Sequence, residues 1–265
     1  MPLTFRYLSC GCGLQSATLV AMICVGELKA DAVFFADTQD EPPWVYETLG
    51  YWWLRCPVPF YVVTKGKLSD AMRLSTTTGA RWAAIPVWAQ RPDGSEAPLR
   101  RQCTREFKIE VIERAVRKLL GYEKGQRIRE KAVCYTGISF DELERCTPSR
   151  TPWVTKEFPL VDRGMTRADC RVYLEQHGHP VPKKSSCVFC PYHRNSYWRD
   201  LKENYPAEFE RACKIDELVR NLGEVGVEYP TFVHRSLVPL REAYFGEDQL
   251  ELFEDRDCSS GYCGV

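Results

Sequence analysis

Phe5-Arg6-Tyr7-Leu8-Ser9-Cys10-Gly11-Cys12-Gly13-Leu14-Gln15-Ser16, with the apolar run 17–25 behind it, is the stretch that decides the fold. Residues 5–8 are β-prone, and Gly11 and Gly13 break the chain just beyond them. The apolar run then reads as a helix closed by Gly26, the residue type a helix C-terminus favours. Strand, glycine-containing turn and helix in succession make the first half of a βαβ unit. Ala32-Val33-Phe34-Phe35-Ala36 shows no alternation, as expected of a parallel strand buried on both faces. Pro42-Pro43 opens a helix over 44–54, and Phe60-Tyr61-Val62-Val63 is a third strand. This β-α-β-α-β order predicts an α/β fold, a doubly wound parallel sheet with right-handed crossovers.

Further along, 75–79 and 91–95 read as loops. A helix is predicted over 105–120, capped by Thr104 and ended by Gly121, with Phe107, Val111, Ile112, Ala115, Val116 and Leu119 on one face. A strand over 132–136 runs into Gly137-Ile138-Ser139, and a capped helix comes next over 166–177. From Val181 the composition turns to Pro, Lys, Cys and aromatics. The expected organisation is a nucleotide-binding α/β domain over 1–180 and a Cys-bearing helical extension over 181–265. Within the extension, 195–218 reads as amphipathic helices, interrupted near Pro206, that cover a cysteine turn. Trp44, Trp52, Trp53 and Trp198 are expected in the core.

The 265 residues are 44% hydrophobic, which excludes global disorder. Lys+Arg and Asp+Glu balance at 36 each, so the charge does not demand nucleic acid, though a local basic face stays open. No secretory pattern and no membrane-length apolar run is visible, so the expectation is a cytoplasmic protein with no membrane partner. Thirteen cysteines in a reducing compartment point to metal or redox chemistry rather than to disulfides. Cys24, Cys56, Cys134, Cys170 and Cys213 sit among apolar or helical neighbours and read as packing residues.

The glycine turn offers backbone N–H groups and a helix dipole to an anion, and Ser16 adds a hydroxyl. It has neither the Lys of the Walker loop nor the third glycine of the dinucleotide fingerprint, and an unliganded tight turn competes with this reading. Cys187-x-x-Cys190 is the spacing at which two thiolates reach one metal, zinc or iron–sulfur, or form a redox dithiol. Cys103 lies among Arg101, Arg105 and Lys108, which favour a thiolate. Cys258 and Cys263 are further candidates, and His193 makes a Cys-x2-Cys-x2-His zinc arrangement conceivable. Arg100, Arg101, Arg105 and Lys108 read either as a phosphate clamp or as a solvated helix start. Asp141 and Glu142 could bind Mg²⁺ or simply begin a helix. His234-Arg235-Ser236 could line the site or pair at the surface.

Taken together, these segments resemble a known family. Gly11-Cys12-Gly13-Leu14-Gln15-Ser16 is similar to the PP-loop of the ATP pyrophosphatase superfamily, usually Ser-Gly-Gly-x-Asp-Ser. Phe35-Ala36-Asp37-Thr38 with Glu41-Pro42-Pro43 resembles the second-strand motif of its phosphoadenosine phosphosulfate (PAPS) reductase branch. Arg101-Gln102-Cys103-Thr104-Arg105-Glu106-Phe107-Lys108 resembles that branch's Cys-Cys-x-x-Arg-Lys segment, and Gly137 to Glu142 its later glycine motif. Cys187-Val188-Phe189-Cys190 matches its Cys-x-x-Cys, and Cys263-Gly264 its C-terminal Cys-Gly.

The resemblance implies that Gly11, Cys12, Gly13, Gln15 and Ser16 cradle the phosphates of ATP with Mg²⁺. It implies Asp37 and Thr38 beside the adenosine, with Gly137, Arg101 and Lys108 completing the nucleotide site. Gly11 stands for the usual first Ser and Gln15 for the Asp, which removes a hydroxyl and a carboxylate. Cys103, Cys187 and Cys190, with Cys263 or Cys258, would hold a [4Fe–4S] cluster, Gln102 having replaced one ligand, or leave one iron open. Zinc on Cys187, Cys190, Cys258 and Cys263 is the alternative. The implied activity is adenylation by ATP followed by sulfur transfer, with Cys103, Cys263 and Arg105 catalytic. A nucleic acid would be the acceptor and a cysteine desulfurase the sulfur donor, in a possible homo-oligomer. A sulfonucleotide reductase using Cys263 as nucleophile is the first alternative. A non-catalytic nucleotide-binding subunit of a modification or defence complex is the second.

Overall fold

The computed structural model describes residues 4–78, 85–90, 94–223 and 226–246. It opens with strand β1 (Phe5–Cys10), helix α1 (Leu14–Cys24), β2 (Ala32–Asp37), α2 (Pro43–Trp53) and β3 (Phe60–Thr64). The predicted alternation is therefore present, with β1 running on into the glycine turn. Next come α3 (Leu68–Thr78), β4 (Trp88–Gln90) and β5 (Glu96–Pro98). Residues 75–78, expected as loop, are the last turn of α3, which Leu68 and Met72 anchor in the core. Tertiary packing overrides the weak helix preference of the Ser/Thr run there.

A π-helical turn, Arg105–Ile109, leads into α4 (Glu110–Leu119). Thr104 is not its cap. The residue is already helical and makes no side-chain capping bond, because the winding begins earlier, with Glu106 N donating to Gln102 O at 3.0 Å. Then come β6 (Ala132–Thr136), a 3₁₀ turn (Phe140–Arg145), β7 (Val154–Glu157), α5 (Pro159–Asp162) and α6 (Arg167–Gln176). Thr166 and Asp169 close a reciprocal capping box on α6. The chain continues through α7 (Asn195–Asn204), α8 (Pro206–Val219) and β8 (Thr231–Phe232).

The main sheet has the order β3-β2-β1-β6-β7, and every neighbouring pair is parallel. Chain direction across the sheet reverses between β1 and β6, which is where open α/β sheets place ligands. Register pairs Ser9 with Thr136 and Cys10 with Phe35, so the turns after β1, β2 and β6 leave the sheet at one carboxyl edge. Helix α1 is buried from Leu14 to Ile23, between the sheet and α6. That enclosure is why its sequence is apolar all round instead of striped. On the opposite face, Ile112 and Val116 of α4 pack on Tyr7, Phe34 and Cys134. Trp44, Trp52 and Trp198 are buried, but Trp53 is 55% exposed. Helix α2 has one inward face, and Trp52 occupies it.

The larger core cluster is continuous from Leu8 to Phe245 and includes Phe189, Trp198 and Phe209. Residues either side of 181 are also joined by hydrogen bonds, since β4 pairs antiparallel with both β5 and β8. The buried carboxylate of Asp216 organises the segment after α8. It accepts from Val233 N at 2.8 Å and Leu240 N at 2.9 Å and pairs with Arg220. Among the described residues no helix is long and apolar enough to cross a membrane.

Candidate functional site

The β1–α1 turn is built for a close backbone approach. Gly13 holds the N-cap position with an extended backbone and no side chain to cap the helix, so no side chain of the cap residue satisfies the first-turn N–H groups. Cys12 adopts the left-handed region at φ +59°, which a side chain adopts at a cost. Gly137, just after β6, closes on the same turn. A Cβ at 137 would come within 2.9 Å of Ser16 N and 3.2 Å of the Gln15 carbonyl carbon, so glycine is what lets β6 come this near. Ser16 Oγ donates to Gly13 O at 3.1 Å, bracing the turn from inside.

Gln15 is fully buried, and its Nε2 donates to Glu142 Oε2 at 2.7 Å and to Ser139 Oγ at 3.3 Å. Arg145 pairs with the other oxygen of Glu142. The carboxylate missing at position 15 is thus supplied from the β6 side. Glu142 is spent on holding the turn, while Asp141 accepts from Arg167 N at 3.2 Å and serves the start of α6.

After β2, Asp37 Oδ1 accepts from Gln39 N at 2.7 Å and from the Tyr46 hydroxyl at 2.9 Å. Thr38 Oγ1 lies 3.2 Å from Cys187 Sγ, and Glu41 Oε1 lies 3.9 Å from the same sulfur. Lys108 Nζ donates to Glu41 Oε1 at 2.9 Å, in an ion pair buried on the Glu41 side and half-buried on the Lys108 side. The cysteine turn is stitched to this acidic turn by Val188 N donating to Asp40 O at 3.0 Å. Asp40 is itself held by Ser69 and Arg211.

His193 completes the cysteine turn by donating from Nε2 to Cys187 O at 2.9 Å, with its ring stacked 3.5 Å from that of Tyr197. That donation occupies Nε2, one of the two ring nitrogens through which a histidine can ligate zinc. His193 braces the turn.

Cys103, Cys187 and Cys190 meet on one cavity of about 30 Å³, whose lining also includes Thr38, Arg101 and Lys108. That is room for one or two waters or an ion. Thiols suit soft metals, but among the described residues no three His, Cys, Asp or Glu side chains gather into a metal-binding group. Cys258 and Cys263 lie outside the described residues. Arg105 is not drawn into the cluster; its side chain is exposed and its Nε bonds Glu110 at 2.9 Å. His234 stands apart as well, bonded to Ser236 Oγ at 2.6 Å and Asn195 Oδ1 at 3.0 Å.

Electrostatics links the two turns. Burial pushes the Cys12 thiol well up, the bond to Cys10 adds to this, and the charges of Glu41 and Lys108 reach it with opposite signs. Burial, then the Glu41 charge, likewise raises Cys187, with Lys108 opposing. Both sulfurs are thiols at neutral pH, so a metal binding at Cys187 must displace a proton. The Tyr197 hydroxyl, buried and without a hydrogen-bond partner among the described residues, is raised by burial and then by Glu41, Cys190 and Cys187. Sequence reasoning placed Glu41 in a motif but gave it no part in this network, and it missed Tyr197. Only Glu41 had a signal, as an acid in the turn that ends a buried parallel strand.

No protein-family model matches the chain, and no curated protein does. Among solved structures, the phosphoadenylyl-sulfate (PAPS) reductase from Candida auris, in its phosphate complex, is similar over 68% of this chain and 76% of that one. The identity is 15% and the TM-score 0.44. The fold assignment rests on the strand order and the parallel pairing themselves.

Proposed function

We propose that the protein is an ATP-dependent adenylating sulfurtransferase of the PP-loop type, acting on a nucleic acid. The observation that supports this best is the Glu41–Lys108 ion pair, whose Glu41 Oε1 lies 3.9 Å from Cys187 Sγ and whose charges also act on the Cys12 thiol. Through it the phosphate-binding turn and the thiols share one carboxyl edge of a parallel sheet. Backbone N–H groups of 11–16 bind the phosphates, and Asp37 and Thr38 lie beside the nucleoside. Lys108 and Arg101 meet the negative charge that develops as an acceptor oxygen attacks the α-phosphorus. The P–O bond to pyrophosphate breaks, and pyrophosphate leaves with the electron pair. Sulfur then displaces AMP from the adenylated acceptor. A centre on Cys103, Cys187 and Cys190, with Cys263 or Cys258 as the further ligand or one iron left open, would supply sulfide when bound. The cavity shared by the three thiols supports that assignment, with the fourth position falling to Cys263 or Cys258 or staying open on one iron.

The test is pyrophosphate release from ATP in the presence of RNA, together with iron, sulfide and zinc analysis of anaerobically prepared protein. Failure to bind ATP removes the reading. Stoichiometric zinc without iron removes the cluster. Sulfite release from adenylyl sulfate or PAPS with a thiol reductant assigns the reductase activity instead, and nucleotide binding with no turnover assigns the non-catalytic role.

A further inference from the structure

We propose that Cys10 and Cys12 form a redox-modification site, a thiol pair that an oxidant closes into a reversible disulfide across Gly11. It goes beyond the adenylation reading, which uses neither thiol. The two Sγ atoms are 3.9 Å apart inside the phosphate-binding turn. Side-chain rotation and a small turn movement bring them to the ~2.05 Å of a bond. Each sulfur is buried, and no metal-binding group of three side chains forms around them among the described residues.

Packing alone does not account for the pair. A cysteine used only as a small hydrophobe has no need of a left-handed backbone, yet Cys12 holds φ +59°. That conformation turns its thiol onto Cys10, whose sulfur is also approached by the Ser16 hydroxyl. The donated bond from Cys12, the largest influence, holds the Cys10 thiol below its ordinary value against the opposing effect of burial. Cys10 is therefore the attacking sulfur and Cys12 the resolving one.

With hydrogen peroxide as oxidant, the Cys10 thiolate attacks one oxygen, the O–O bond breaks, and hydroxide leaves as Cys10 becomes a sulfenic acid. Cys12 sulfur then attacks the Cys10 sulfur, the S–O bond breaks, and water departs with the thiol proton. Two thiols and one peroxide give one disulfide and two waters. A dithiol reverses the step by exchange. Because the bond spans the residues that present N–H groups to an anion, closure refashions the turn itself.

The experiment uses the full chain, reduced, desalted and exposed to hydrogen peroxide, then alkylated and digested with trypsin. The peptide 7–29 carries Cys10, Cys12 and Cys24. The expected product is this peptide two hydrogens lighter, alkylated at Cys24 and linked between Cys10 and Cys12, reverting fully with dithiothreitol. Cys12→Ser should stop at a Cys10 sulfenic acid trapped by dimedone. Recovery of Cys10 and Cys12 both alkylated under conditions that oxidise other thiols overturns the proposal, as does linkage of either to a different cysteine. The mass readout needs neither ATP nor turnover, so it stands or falls separately from the adenylation reading.

Discussion

Gly137→Ala tests the geometry on which the site depends. The new methyl group would sit 2.9 Å from Ser16 N and 3.2 Å from both the Gln15 carbonyl carbon and Ser16 Cα. All three are backbone atoms, so no side chain can swing aside. Either β6 or the turn must withdraw by several tenths of an ångström, and the buried Gln15–Glu142 bond of 2.7 Å stretches with it. Overpacking of this kind costs about 1–3 kcal/mol, or a fall of roughly 2–8 °C in Tm for a chain of this size. Gly50→Ala is the control. It lies within α2 with no atom inside 4 Å of its Cβ position, and alanine there should stabilise by about 0.5–1 kcal/mol. Thermal and urea melts of the two variants, with ATP binding measured alongside, separate a general cost of alanine from a local clash. A Gly137→Ala protein that melts with the wild type and binds ATP equally would refute the close approach.

Asp216→Ala should destabilise by about 3–5 kcal/mol in urea titrations, because it strands Val233 N, Leu240 N and the Arg220 guanidinium together; a loss below about 1 kcal/mol would mean that these bonds are replaced. Burial lowers the His234 pKa from 6.5 to about 4. On acidification the unfolded chain takes up this proton first, so the contribution, up to about 3 kcal/mol, is intact above pH 6.5 and lost as pH falls towards 4. His234→Gln should flatten stability against pH in that window, and an unchanged slope would place the acid sensitivity elsewhere.

The parallel core was legible because its strands carry their signal locally. Ala32 to Ala36 is apolar without alternation, and the glycines after β1 and β6 mark where strands give way to turns. The antiparallel sheet was not legible. Strands β4, β5 and β8 are three, three and two residues long, and β4 finds β8 only after the intervening chain has folded. No local pattern encodes such a pairing. In the site, the residues from the sequence motifs that come together do so through partners that sequence spacing cannot reveal. Gln15 reads as the loss of a charge until Glu142 appears beside it from another strand's end. Lys108 reads as a phosphate clamp, and spacing does not show that it also pairs with Glu41. Trp53 and Thr104 misled for the opposite reason: composition and position suited a core residue and a cap, and helix geometry assigned those tasks to Trp52 and to no side chain.

The ladder between β4 and β8 has a bearing on how the polypeptide reaches this state during synthesis. Until residues 231 and 232 have left the ribosome, Trp88 and Ala89 present an open backbone edge. Long-range pairing of this kind forms late and slowly, and an unpaired edge is what neighbouring nascent chains adhere to. Release before that point should yield aggregates held through 88–90, not a smaller working protein.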